Sequence, residues 1–171
     1  MRFAILAIIP CLFLFGCKGA KKHRLQSEKG LKVRFEIKNF QEKMGDCDKP
    51  DGACAQIDMV YPQVVDGVPV IMQSINDSIF GFLIQNLVFE EFQAENSQAS
   101  LDKAAKSFLR EWQNANKENP EDESNSSWEV SVTGEVGLHT PKVASITLGS
   151  YSYAGGAHPN SFVAVMNFDL K

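Results

Sequence analysis

Leu31, Val33, Phe35 and Ile37 alternate with Lys32, Arg34, Glu36 and Lys38, the two-residue period of a strand with one buried and one wet face. The same alternation returns at Ala55, Ile57, Met59 and Tyr61 against Gln56, Asp58 and Val60, and Pro62 closes that run. These two segments are expected to form an antiparallel pair. From Val70 the period changes, because Ile71, Ile75, Ile79, Phe82, Leu83 and Leu87 recur at steps of three and four, as on a helix with a broad apolar face. Leu101, Ala104, Ala105, Phe108, Leu109, Trp112 and Ala115 repeat the helical pattern behind Ser97 and Ser100, either of which suits an N-cap.

The segment Asn116–Ser127 has Pro120 and no large apolar residue, so it reads as an exposed connection. Its acids lack the ordered spacing of a calcium loop. Trp128, Val130, Val132, Val136 and Leu138 then resume the strand period, with Gly134 as the position for a bulge or bend. Ala144, Ile146 and Leu148 lead into Tyr151 and Tyr153, and Phe162, Ala164, Met166 and Phe168 alternate on a last strand. Between these two runs lies Ala154-Gly155-Gly156-Ala157-His158-Pro159-Asn160, whose glycines mark a tight reversal. The order is ββααβββ, which predicts an α+β fold with two amphipathic helices packed on an antiparallel sheet.

The start of the chain reads as an address. Met1-Arg2 is positive, Phe3 to Phe15 is uncharged and apolar, and that run is shorter than the roughly 20 residues that span a bilayer. Leu14-Phe15-Gly16-Cys17 resembles a bacterial lipoprotein signal, in which cleavage leaves the cysteine first and lipid-modified, although Phe15 departs from the usual small or branched residue. The alternative is an ordinary secretory signal with Cys17 incidental. The expected organisation is a signal peptide over 1–16, a basic tether over 17–30 and an α+β domain over 31–171. Such a protein is lipid-anchored in a bacterial cell envelope and faces the periplasm or the exterior. Lys18, Lys21, Lys22, Arg24 and Lys29 in the tether can assist through anionic headgroups, by about 1 kcal/mol per basic residue near the surface.

Seventeen basic residues against 21 acidic ones leave a net charge of −4. No concentrated basic face appears, so no nucleic-acid partner is expected. Once Cys11 falls in the signal and Cys17 carries lipid, Cys47 and Cys54 remain, and an even pair in an exported chain reads as a disulfide. They enclose Pro50-Asp51-Gly52, which is turn chemistry. A metal or redox pair is the other use of such cysteines, but no histidine lies near and the spacing is not Cys-x-x-Cys.

His23, His139 and His158 are the three imidazoles. They show no zinc-hydrolase spacing, and no Gly-x-Ser-x-Gly elbow or phosphate loop accompanies them. No catalytic residue, metal or cofactor is therefore expected. His158 serves the turn or stands in solvent, or else meets a ligand. Tyr151 and Tyr153 share a strand face beside the turn; aromatic rings with polar tips suit sugar stacking and protein hot spots, and equally an ordinary sheet face. The candidate contact residues are Tyr151, Tyr153, Gly155, Gly156, His158 and Asn160.

Tyr151-Ser152-Tyr153-Ala154-Gly155-Gly156-Ala157-His158-Pro159-Asn160, followed by Asn167-Phe168-Asp169-Leu170, resembles the signature of a domain of unknown function. That domain precedes the catalytic domain of PdaC-type peptidoglycan deacetylases and occurs in the extracellular part of RsiV-type lysozyme-sensing anti-sigma factors. Cys54-Ala55-Gln56-Ile57-Asp58-Met59-Val60-Tyr61-Pro62 is similar to the family's early strand, and the cysteine pair is similar to that of stand-alone Bacteroides-type lipoproteins. The resemblance covers about Leu31 to Lys171. It implies an envelope domain with a binding role more than a catalytic one, toward peptidoglycan or a wall-degrading protein such as lysozyme. Family members usually continue into a second domain beyond the Asn-Phe-Asp-Leu strand, whereas this chain stops at Lys171, either naturally or as a truncation of a two-domain protein. This leaves a second reading, a structural half with no ligand of its own, and a third, an envelope hydrolase built around His158. Neither deacetylation nor signalling is carried over.

Overall fold

Five strands and two helices make up the computed structural model, which describes residues 32–49, 52–88, 96–118 and 127–171. The signal segment, Cys17, the tether with His23, and Leu31 lie outside the described residues. In chain order the elements are β1 (Arg34–Gly45), β2 (Cys54–Asp66), α1 (Pro69–Gln85), α2 (Gln98–Glu118), β3 (Ser127–His139), β4 (Val143–Ala154) and β5 (Asn160–Asp169). The strands lie side by side in sequence order. The fold is α+β, as the periodicities predict.

One pairing departs from the expected antiparallel sheet. β1–β2, β3–β4 and β4–β5 are antiparallel, but β2 and β3 run parallel, from Cys54 beside Ser127 to Val60 beside Thr133. Parallel neighbours need a crossover of a dozen residues or more, and the helices with their linkers supply one. Alternation along a strand carries no mark of its neighbour's direction.

Pro62 does not end β2, which continues to Asp66. Instead the parallel ladder stops just before it, at Val60, while pairing to β1 continues through Ile37–Pro62 to Phe35–Val64. A residue without an N–H is tolerated where one side of the strand has lost its partner. Beyond it, α1 replaces that partner: Val64 N–H donates to Asn76 Oδ1 and Asn76 Nδ2 donates to the Val64 carbonyl, both at 2.9 Å.

β1 also corrects the simple alternation. Val33 is buried, yet Ile37 is 57% exposed, and Phe40 and Met44 pack against the core instead. Phe35 still packs against the core, so the faces of β1 exchange between Phe35 and Ile37, whereas the register irregularity beside Arg34 skips Val65 on β2. In β3 the irregularity falls between Val136 and Leu138, not at Gly134. Gly134 serves close approach: a Cβ there would stand 2.5 Å from Leu148 Cδ2 and 2.8 Å from Pro62 Cδ.

Both helices pack on one face of the sheet. Pro69 opens α1, where a missing N–H is harmless, and Ser97 caps α2 by accepting from Ser100 N–H at 3.3 Å. Ile75, Ile79 and Leu83 of α1 and Leu101 and Phe108 of α2 meet Ile57, Met59, Val130, Val132, Ile146 and Leu148 of the sheet, all essentially buried. Each such side chain contributes about 1.5–3 kcal/mol relative to exposure. Phe82 lies only partly buried at the margin, and Phe80 takes a core place that the three-and-four spacing did not assign. Cys47 and Cys54 are joined in a disulfide, with their Cα atoms 4.8 Å apart, across the β1–β2 turn.

Candidate functional site

The side chains that alternate away from the core make the second face of the sheet, which neither helix covers. On β2 these are Gln56, Asp58 and Val60; on β3 Glu129, Ser131 and Thr133; on β4 Gly149, Tyr151 and Tyr153. Strand register sets them in rows. Asp58 stands beside Ser131, Ser131 beside Tyr151, and Tyr151 beside Ser161. In the adjacent row Val60, Thr133, Gly149 and Val163 are neighbours, and on the other side Gln56, Glu129 and Tyr153.

Tyr151 is the aromatic centre of this face. It is 38% exposed, and among the described residues its hydroxyl has no hydrogen-bond partner. Beside it lies a shallow open groove of about 370 Å³ bordered by Ser131, Thr133, Gly149, Ser161 and Val163. Gly149 contributes by what it lacks, since a Cβ there would find only the Thr133 carbonyl within contact range, at 3.9 Å. The result is an aromatic ring edged by hydroxyls and backbone, with the Asp58 carboxylate one strand further. That arrangement can stack on an apolar sugar face while hydroxyls hydrogen-bond its rim.

Tyr153 shares the face, as the spacing predicts, but its hydroxyl is engaged locally. It donates to the Gly156 carbonyl at 3.1 Å and so ties the β4–β5 turn to its own strand. Gly155 and Gly156 have φ of 77° and 91°, left-handed values that favour glycine. These three residues build the turn. His158 is exposed there, with no polar partner among the described residues, and Asn160 opens β5 opposite Ser152. The six candidate residues thus divide between a groove containing Tyr151 and a turn containing the other five.

His139 lies at the far end of β3, edge-on to Phe35 with ring centroids 5.3 Å apart. Next to it Thr140 Oγ1 accepts from Lys142 N–H and Val143 N–H at 3.2 and 3.0 Å, which makes the expected turn. His139 and His158 therefore sit at opposite ends of the β3–β4 pair. Among the described residues no three His, Cys, Asp or Glu side chains gather as a metal site would require. Ser131, Thr133, Gly149 and Ser161 were absent from the sequence-derived set. Alternation marks them as outward-facing, but only the register places them around Tyr151.

A family model described as Deacetylase PdaC matches residues 49–161. Among solved structures, the chain is similar to a DUF3298 family member from Bacteroides fragilis NCTC 9343, with a TM-score of 0.63 and 15% identity over 83% of this chain and 57% of that one. It is also similar to a DUF3298 family protein from Pseudomonas aeruginosa PAO1, with a TM-score of 0.50 and 15% identity over 80% of this chain and 52% of that one. The chain spans a little over half the length of these two solved relatives. At such identity the likeness concerns the fold. No curated protein matches.

Proposed function

We propose that this chain, which belongs to the PdaC family, is a lipid-anchored envelope protein whose α+β domain binds a cell-wall glycan on the open face of its sheet without catalysing a reaction on it. The observation that carries the reading is the groove beside Tyr151, where an exposed ring is edged by Ser131, Thr133 and Ser161. Sugar rings present apolar C–H faces and a rim of hydroxyls, and this surface offers an aromatic plane and a polar border at matching positions. Asp58 and Glu129 extend the hydrogen-bonding surface on the neighbouring strands.

Cys17 would hold the domain at the membrane and residues 18–30 would lift it away, so that the sheet face can reach the wall. The reading assigns no bond-making or bond-breaking step to the domain. Lysozyme, the protein partner that the family resemblance implies, serves as the competing arm of the test.

Co-sedimentation of the full chain with purified peptidoglycan sacculi tests the proposal. The wild type should pellet with the sacculi, and Tyr151→Ala should weaken binding about tenfold or more, as for loss of a central aromatic contact. His158→Ala, in the turn, should bind as the wild type does. Failure of the wild type to bind, or equal binding by Tyr151→Ala, overturns the glycan reading. Retention of lysozyme with none of the sacculi would replace it by a protein-binding one.

A further inference from the structure

The open face continues past Asp58 onto β1. Register sets Gln41 beside Asp58 and Lys43 beside Gln56. The row that contains Tyr151 therefore runs Gln41, Asp58, Ser131, Tyr151, Ser161 and takes one side chain from every strand of the sheet. None of these residues is buried. A second shallow groove, of about 430 Å³, lies at the β1 end of the row, bordered by Gln41, Lys43, Gln56 and Asp58. Asp58 of this groove is the register neighbour of Ser131, which borders the groove beside Tyr151. The two grooves are thus continuous across the sheet.

The two directions on this face have different repeats. Along a strand, side chains on one face recur about every 6.7 Å, whereas neighbouring strands stand about 4.8 Å apart. A β-1,4-linked pyranose chain advances by close to the inter-strand distance with each ring. Laid across the strands, it meets a new polar side chain at every ring; laid along β4, it falls out of step with Tyr153, Tyr151 and Gly149. The row spans four inter-strand steps, about 19 Å in all. Charge narrows the polymer further. Asp58 and Glu129 are carboxylates, and the cation at the β1 end, Lys43, is bonded to Asp48 at 3.0 Å. Such a strip accepts hydrogen bonds from hydroxyl and amide N–H groups and repels an anionic chain.

We infer that the site is an extended one, in which an uncharged β-1,4-linked glycan of about four rings or more crosses the strands. Tyr151 stacks on one ring, and the groove at Gln41 and Gln56 holds another. An amide side chain both donates and accepts, which suits the hydroxyl and acetamido groups of an amino sugar. The inference rests on the glycan reading of the Tyr151 groove and adds to it the direction of the chain, its shortest useful length and a second groove without an aromatic ring.

Isothermal titration calorimetry of the detergent-solubilised full chain with the dimer and the hexamer of β-1,4-linked N-acetylglucosamine tests it. The hexamer should bind about tenfold more tightly than the dimer, as for the gain of a second set of hydrogen bonds. The double substitution Gln41→Ala with Gln56→Ala should remove about that factor from hexamer binding, with dimer binding and the circular dichroism unchanged. Equal affinity for the two lengths, or a hexamer affinity untouched by the double substitution, overturns the inference and confines the ligand to the Tyr151 groove, with the glycan reading intact. A hexamer that does not bind also overturns it, and co-sedimentation of the same protein with sacculi then tells whether the glycan reading falls with it.

Discussion

Asn76 and Tyr61 show how single polar groups hold the junction between sheet and helices. Asn76 satisfies the donor and acceptor of Val64 where β3 no longer can, and a buried backbone group left unpaired costs about 1–3 kcal/mol. Asn76→Ala should therefore lower the unfolding free energy by about 2 kcal/mol in urea titration; a change inside the scatter of the measurement would mean that water takes the amide's place. Tyr61 is buried, edge-on to Phe80, and donates to Gln98 Oε1 at 3.1 Å. Burial, and then the Asp102 carboxylate, push its phenol above the ordinary value of 10.0. The unfolded chain therefore releases this proton first as pH rises, so the Tyr61 contribution is whole below pH 10 and disappears as pH climbs through the raised value. Stability curves should show an alkaline decline that Tyr61→Phe reduces, and an identical decline in that variant would assign it to other groups.

At the scale of elements, the β1–β2 hairpin and the β4–β5 hairpin are secured by different means. The first is stapled by Cys47–Cys54, and closing a loop this short contributes about 2–3 kcal/mol through the unfolded chain. The double substitution Cys47→Ala with Cys54→Ala should shift the denaturation midpoint by that amount without altering the native circular dichroism. An unchanged midpoint would show that the turn's own bonds, such as Asp46 N–H to the Ala53 carbonyl at 2.8 Å, suffice. The second hairpin relies on two left-handed glycines and the Tyr153 hydroxyl. Its residues are spent on the turn itself, which is why a motif with so much functional promise contributes one groove residue.

For the whole molecule, the decisive feature is that both helices lie on one side and leave the other side of the sheet open. A sheet covered on both faces would bury Tyr151. Among the described residues, this open face is the surface left to a ligand. Anchoring belongs to this scale as well: Cys17→Ser should move the protein from the membrane to the soluble fraction in cell fractionation. Unchanged membrane association in that variant would rule out attachment through a lipid on Cys17.

Periodicity determined the element order ββααβββ, the α+β class and the apolar stripes of the helices, because burial of one face imprints itself on every second or every third and fourth residue, and the paired glycines marked the reversal. The cysteine pair was legible for the same local reason, being set seven positions apart around a turn. What only the tertiary structure decided is relational. The parallel pairing of β2 with β3, the outward position of Ile37, and the helix amide that replaces a strand beside Val64 all depend on partners distant in the chain. The candidate site is of this second kind. Tyr151 could be chosen as an exposed aromatic, but its neighbours Ser131, Thr133, Gly149 and Ser161 come from three strands, and only inter-strand register brings them to one groove.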